Sequence, residues 1–294
     1  MKTSEIERKL QEEINEESVY DDIILLSDAS AEKEKTTNFV RYPIGIPTFD
    51  TVAKLRPDDI GGIAGGDLIV VAGPTGNGKT LLSATIAYNA LKGQGIPTLY
   101  LTYEVSVYAL WKVFESMGAV GGDFICAPAN HTTGKIEWVE KKIKEAKAKY
   151  GIGAVVIDHL GFLAPSQKMN QQMSQNYSSF LGQIVRELKT IAVQENVSII
   201  LPVHMVKSAN DDPSIRDIGH SGGIAQESDF VLLVAREEVP KSQMATSYYT
   251  KYTKVIIAKN RPGGDTPTLW MEKIDGRLQE TYKEFTSEKK QIYG

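Results

Sequence analysis

Residues Gly73-Pro-Thr-Gly-Asn-Gly78-Lys79-Thr80 satisfy the spacing G-x-x-x-x-G-K-[ST]. Glycines in such a run let backbone N–H groups turn inward around phosphate oxygens. A helix opening directly after the run adds the partial positive charge of its N-terminus. Gly73, Thr75, Gly76, Asn77 and Gly78 are therefore candidates to cradle a nucleotide's phosphates. Lys79 would reach the β- and γ-phosphates, and the Thr80 hydroxyl would ligate Mg²⁺. The chemistry expected of this segment is binding of ATP with Mg²⁺.

Such a loop needs a second carboxylate for the cation and a group that activates water. Asp158 ends the apolar run Ala154-Val-Val-Ile157, a position expected at the carboxyl end of a neighbouring strand and suited to the Mg²⁺ shell. Glu104 follows the run Thr98 to Thr102 and is the carboxylate best placed to deprotonate water.

These side chains need rigid elements behind them. Leu68 to Ala72 is a short, fully apolar, β-branched run of the kind found in central parallel strands. The spacing predicts a helix over Thr80 to Gly93, a strand over Thr98 to Thr102 and helices over Val107 to Met117 and Gly134 to Tyr150. It then predicts a strand over Ala154 to Ile157, a helix over Tyr177 to Glu195 and a strand over Val197 to Val203. Further strands are expected over Phe230 to Val234, Lys254 to Lys259 and Thr268 to Glu272. This alternation predicts an α/β fold with a mainly parallel twisted sheet between helices.

The chain has 294 residues, 41% hydrophobic and 24% charged, which is enough apolar material for a substantial core and excludes a mostly disordered chain. A single cysteine, Cys126, excludes a disulfide scaffold. No apolar run approaches the ~18 residues of a membrane span, and the first eleven residues carry no apolar signal-peptide core. A cytoplasmic protein without a membrane partner is expected. The net charge of −4 is unevenly placed: residues 1–35 hold five basic and eleven acidic residues, so the remainder is slightly positive. Within that acidic segment Ile6, Leu10 and Ile14 recur at helical spacing, and Ser4 with Glu7 forms a capping-box pattern. The expected organisation is a short helical arm or linker over 1–38, then one ATPase domain over 39–294.

From about Pro43 to Glu280 the chain resembles the motor of the DnaB-family hexameric replicative helicases, a RecA-like P-loop NTPase core. The segments that carry the likeness are Gly45-Ile-Pro-Thr-Phe-Asp50, Gly65-Gly-Asp-Leu-Ile-Val-Val-Ala-Gly73, Tyr103-Glu104, Val155-Val-Ile-Asp158, Arg186-Glu-Leu-Lys189-Thr-Ile-Ala192, Ile199-Ile-Leu-Pro-Val-His204, Ser221-Gly-Gly-Ile-Ala-Gln226-Glu-Ser-Asp229 and Ile257-Ala-Lys259-Asn-Arg261-Pro-Gly-Gly-Asp265. The resemblance implies that Glu104 is the catalytic base and that His204 senses the γ-phosphate. It implies that Lys259 and Arg261 reach the γ-phosphate bound by the adjacent protomer. A histidine at the sensor position is similar to the phage and mitochondrial ring helicases, whereas bacterial members usually carry glutamine. The family commonly has arginine before the Ser-Gly pair, where this chain has Gly219-His220.

The resemblance implies an ATP-dependent helicase or translocase that acts on single-stranded DNA as a homohexameric ring in replication. A primase and a helicase loader are the further partners it suggests, in a bacterial or phage-infected cytoplasm. Candidate DNA contacts are Lys168 in the acid-free loop Ala164 to Ser178, Lys207 and Arg216 after the sensor strand, and His220, Ser221 and Gly222 at the segment facing the central channel. The arm would tie neighbouring protomers together. Two alternatives stay open at this point: a recombination-type RecA-like ATPase that remodels DNA without processive unwinding, and a nucleotide-switched scaffold.

Overall fold

A computed structural model of the chain describes residues 41–54, 59–121, 123, 125–128, 135–163, 171–205, 213–218, 221–239 and 249–283. The expected arm and its boundary at residue 38 lie outside these residues. In chain order the elements are α1 (Pro47–Val52), β1 (Leu68–Gly73), α2 (Lys79–Gln94), β2 (Thr98–Thr102), α3 (Val107–Ser116), β3 (Ile125–Cys126), α4 (Ile136–Tyr150) and β4 (Ala154–Asp158). After them come α5 (Gln171–Glu195), β5 (Ser198–His204), α6 (Ser221–Glu227), β6 (Phe230–Glu238), β7 (Tyr249–Asn260), β8 (Thr268–Ile274) and β9 (Arg277–Thr281).

The nine strands form one sheet in the order β3-β2-β4-β5-β1-β6-β7-β8-β9. Neighbours from β3 through β6 pair parallel. The last three pairings are antiparallel. The change of sense has a simple cause: helices intervene between the parallel strands, whereas the described residues place none between β6, β7, β8 and β9. The strand that pairs with β1 on the β4 side is β5, so Asp158 stands one strand further out than the adjacent position expected from the sequence.

Period-two alternation divides the core between the two faces. Ile69 and Val71 of β1 join Leu82, Ile86 and Phe114 of α2 and α3. Leu68, Val70 and Ala72 join Val139 and Ile143 of α4, and Leu181, Ile184, Val185 and Leu188 of α5. The recurrence of Leu181, Ile184, Val185, Leu188, Ile191 and Ala192 at three- and four-residue intervals makes one buried stripe along α5. All six residues of β1 are buried, which is why their sequence is continuously apolar rather than alternating. Among the described residues no helix is long and apolar enough to cross a membrane.

Candidate active site

Because β1, β2, β4 and β5 run parallel, the segments that follow them leave the sheet at one edge. That edge gathers Gly73 to Thr80, Glu104, Asp158 and His204, residues drawn from four separate parts of the sequence. His204 stands opposite Gly73 in the β1–β5 register, and the Met205 amide donates to the Gly73 carbonyl at 3.2 Å.

The glycine-rich loop turns into α2 through Gly78, whose φ of 97° is a left-handed conformation that favours glycine. Asn77 is buried. Its Oδ1 accepts from the Arg236 amide at 2.8 Å and its Nδ2 donates to the Thr75 carbonyl at 3.2 Å. Asn77 therefore braces the loop against β6 as well as belonging to it. Lys79 Nζ donates to the Pro74 carbonyl at 3.0 Å, folding back over the loop. Burial pushes the ammonium pKa of Lys79 down, while the Glu104 and Asp158 carboxylates pull it up.

Asp158 is only 3% exposed. Burial raises its carboxyl pKa, a side-chain hydrogen bond with Thr80 lowers it, and the Glu104 charge raises it again. The Tyr100 hydroxyl donates to Oδ2 at 3.4 Å. A buried carboxylate joined to a hydroxyl, with a second carboxylate nearby, is a hard oxygen set that suits Mg²⁺. A cation there would relieve the cost of desolvating Asp158.

Glu104 lies two residues past β2. Its Oε1 is 3.3 Å from Nε2 of His204 and 3.0 Å from Nε2 of His159. The two imidazoles meet edge to face, with centroids 4.4 Å apart. His159 was not foreseen from the sequence, although an imidazole directly after the carboxylate that ends β4 was a signal available there. Its pKa is lowered by burial and then by His204, against the opposing pull of Glu104.

Lys259 and Arg261 occupy a different place. Asn260 and Lys259 pair with Phe230 and Val231 at the start of β6, and those residues pair with Ile69 and Val70 near the start of β1. The glycine-rich loop leaves the other end of β1, roughly 10–13 Å of strand away. Lys259 Nζ instead donates to the carbonyls of Ala225, Gln226 and Ser228 at 2.7, 3.0 and 2.7 Å, closing the C-terminus of α6. Arg261 pairs with Asp229 at 2.8 Å and donates to the Gln226 carbonyl.

Of the candidate DNA contacts, Arg216 is exposed in the short 3₁₀ turn Ile215–Asp217. Ser221 and Gly222 open α6, with side chains outside the described residues. Lys168, Lys207 and His220 lie outside them altogether.

Residues 124–278 match the family model of the DnaB-like helicase C-terminal domain. A probable replicative DNA helicase of Trieres chinensis is 25% identical over 290 residues, covering 86% of this chain and 61% of that protein. The replicative DNA helicase DnaB of Geobacillus stearothermophilus is 25% identical over 256 residues, covering 74% of this chain and 52% of that protein. The chain thus spans about half to three-fifths of the length of these relatives. Among solved structures, an isolated ATPase domain superimposes with a TM-score of 0.72 at 18% identity, over 89% of this chain and all of that one. A DnaB-like replicative helicase studied with its primase interactions superimposes with a TM-score of 0.69 at 18% identity, over 95% and 75% of the two chains.

Proposed function

The chain belongs to the family of DnaB-like helicase C-terminal domains, and from that premise we propose that it is an ATP-driven motor that translocates on single-stranded DNA as a ring during replication. Gly73 to Thr80 would hold the nucleotide phosphates, with Lys79 at the β/γ oxygens. Thr80 and Asp158 would hold Mg²⁺, whose chemistry is to neutralise charge on the β- and γ-phosphates. Glu104 takes a proton from water as the water oxygen attacks the γ-phosphorus. The bond from that phosphorus to the bridging oxygen breaks, and ADP leaves with the electron pair. His204, beside Gly73, would exchange its bond with Glu104 for one with the γ-phosphate.

The observation that carries the ring reading is the placement of Lys259 and Arg261 at the edge of the sheet opposite their own glycine-rich loop. Neither can serve that loop. Presented to the nucleotide of a neighbouring copy, they would complete its site and stabilise transition-state charge, a contribution of ~10³–10⁵ in rate. An isolated subunit is then a poor ATPase. The arm over residues 1–38 would tie adjacent copies together. DNA would contact the ring through Arg216, Ser221 and Gly222 and through Lys168, Lys207 and His220. Primase and a loader are the partners this role implies, in the cytoplasm of a bacterium or a phage-infected cell.

The test is ATP turnover with and without single-stranded DNA, followed by unwinding of a forked duplex. Stimulation with unwinding is the expected result. Stimulation without unwinding would make the protein a recombination-type ATPase, and absence of stimulation would make it a nucleotide-switched scaffold.

A further inference from the structure

Glu104, His159 and His204 bring a carboxylate oxygen and two ring nitrogens within 4.8 Å of one another, the composition of a two-histidine, one-carboxylate metal centre. The hydrogen bond that His159 accepts at Nδ1 excludes that use. The Gly161 amide donates to His159 Nδ1 at 2.9 Å. A neutral imidazole has one in-plane lone pair, so this bond places it on Nδ1 and the proton on Nε2. The nitrogen that lies 3.0 Å from Glu104 Oε1 therefore carries the proton and has no lone pair for a metal.

We infer that His159 is a positioning residue for Glu104: its Nε2–H, fixed in direction by the Gly161 amide, holds the carboxylate that activates water. This rests on Glu104 being the general base. The ring is held from several sides. It lies at 5.0 Å from the Phe162 ring and meets His204 edge on, and its side chain is only 17% exposed. The turn after β4 approaches it so closely that a Cβ on Gly161 would lie 2.6 Å from Cε1 and 2.9 Å from Nδ1 of His159. A glycine at 161 is thus what allows the amide to reach the ring.

The two histidines on Glu104 differ in how they are held. His159 is fixed at Nδ1 by the Gly161 amide with Nε2 turned to Glu104 at 3.0 Å, whereas among the described residues His204 is bonded only at Nε2, its buried Nδ1 having no partner. His204 can leave Glu104 for a phosphate at the loss of one hydrogen bond. His159 stays, so the base keeps its orientation while the sensor moves.

The experiment measures steady-state ATP turnover of the full chain in its DNA-stimulated form for His159→Phe, His159→Gln, Gly161→Ala and Glu104→Gln, and for His159→Phe combined with Glu104→Gln. A hydrogen bond to a charged group corresponds to roughly one to two powers of ten in an equilibrium or rate. His159→Phe should therefore lower kcat about 10- to 100-fold with KM for ATP changed less than about threefold. His159→Gln carries an N–H near the Nε2 position and should recover most of the loss. Gly161→Ala, which displaces the ring without changing it, should resemble His159→Phe. In the Glu104→Gln background, His159→Phe should cost little more, because the two act as a unit. A His159→Phe enzyme with unaltered kcat overturns the inference, and so does an additive loss in the double variant. Wild-type turnover by Glu104→Gln alone would instead remove the general-base reading on which the inference stands.

Discussion

His204 Nε2 lies 3.3 Å from Glu104 Oε1, although 100 residues separate them in the chain. The contact links the end of β5, which pairs with the glycine-rich loop's first residue, to the carboxylate that follows β2. On the proposed reading, a phosphate held by the loop would compete with Glu104 for the same N–H. His204→Ala is expected to bind nucleotide normally yet lose about 10- to 100-fold in turnover, as for a hydrogen bond to charge. His204→Gln, which keeps a donor, should lie between it and the wild type. Equal turnover in all three forms would disprove sensing at this position.

Lys259 and Arg261 face away from the loop of their own chain, which makes a mixing experiment decisive. Lys79→Ala alone and Arg261→Ala alone should each be nearly inactive, the latter by ~10³ or more. Mixed rings contain some interfaces with an intact loop from one copy and an intact arginine from the next. Turnover of the mixture should exceed that of either variant by an amount that depends on mixing ratio. No recovery after verified co-assembly would refute action between copies.

Asp158 is buried and its carboxyl is held above the ordinary range by that burial. Replacing it with asparagine removes a charge whose desolvation opposes folding. Asp158→Asn should therefore melt no lower than the wild type in the absence of nucleotide, while ATP turnover collapses and the Mg²⁺ needed for nucleotide binding rises at least tenfold. Thermal melts with and without MgATP measure both effects. A large fall in the nucleotide-free melting temperature would contradict this account.

Asp229 is only 5% exposed and receives Lys189 Nζ at 2.6 Å, Arg261 at 2.8 Å and the Leu68 amide at 2.8 Å. Removing the carboxylate leaves the buried Leu68 amide without that acceptor and takes the counter-charge from Lys189 and Arg261. Breaking such a buried network by deleting one partner costs about 3 kcal/mol. Chemical denaturation of Asp229→Ala should show a loss of that order, and a change below about 1 kcal/mol would disprove the network's structural role.

Asp50 accepts the amides of Ile44, Gly45 and Ile46 at 2.8, 2.9 and 3.1 Å. Burial nevertheless raises its carboxyl from 3.8 to about 6, the three amides opposing and the Glu280 charge assisting. The folded chain thus holds this proton more tightly than the unfolded one. The stability it contributes is complete below pH 3.8 and is lost as pH rises through 6, a change of about 3 kcal/mol. The wild type minus Asp50→Asn difference in unfolding free energy should decline over that window. A flat or rising difference between about pH 4 and 7 would refute the raised value.

Much of the scaffold was legible because its signals are local. The continuous apolar run Leu68 to Ala72 predicts a buried strand, and β1 is that strand with Gly73 added. Thr98 to Thr102 is strand over its whole length, and α5 begins six residues earlier than its spacing suggested. The edges of the sheet were not legible. In Arg277–Thr281 only Leu278 is buried, and Ile125–Cys126 is two residues long. Neither carries a periodic pattern, and both are strands only because a neighbour offers its backbone. His159 was missed for a related reason: nothing in its local sequence says which carboxylate its ring will meet.

Residue type and short-range spacing were enough to specify the glycine-rich loop after β1, the carboxylate at the end of β4 and the alternation that builds a mainly parallel sheet. Backbone geometry follows from those properties directly. The folded arrangement was needed to place β5 between β1 and β4 and to share Glu104 between two imidazoles. It was needed, too, to put Lys259 and Arg261 at the edge opposite their own loop. Strand order and direction are set by which apolar faces pack together across long separations in the chain. A residue's distance from the chemistry is therefore a property of the whole sheet, and no short segment encodes it.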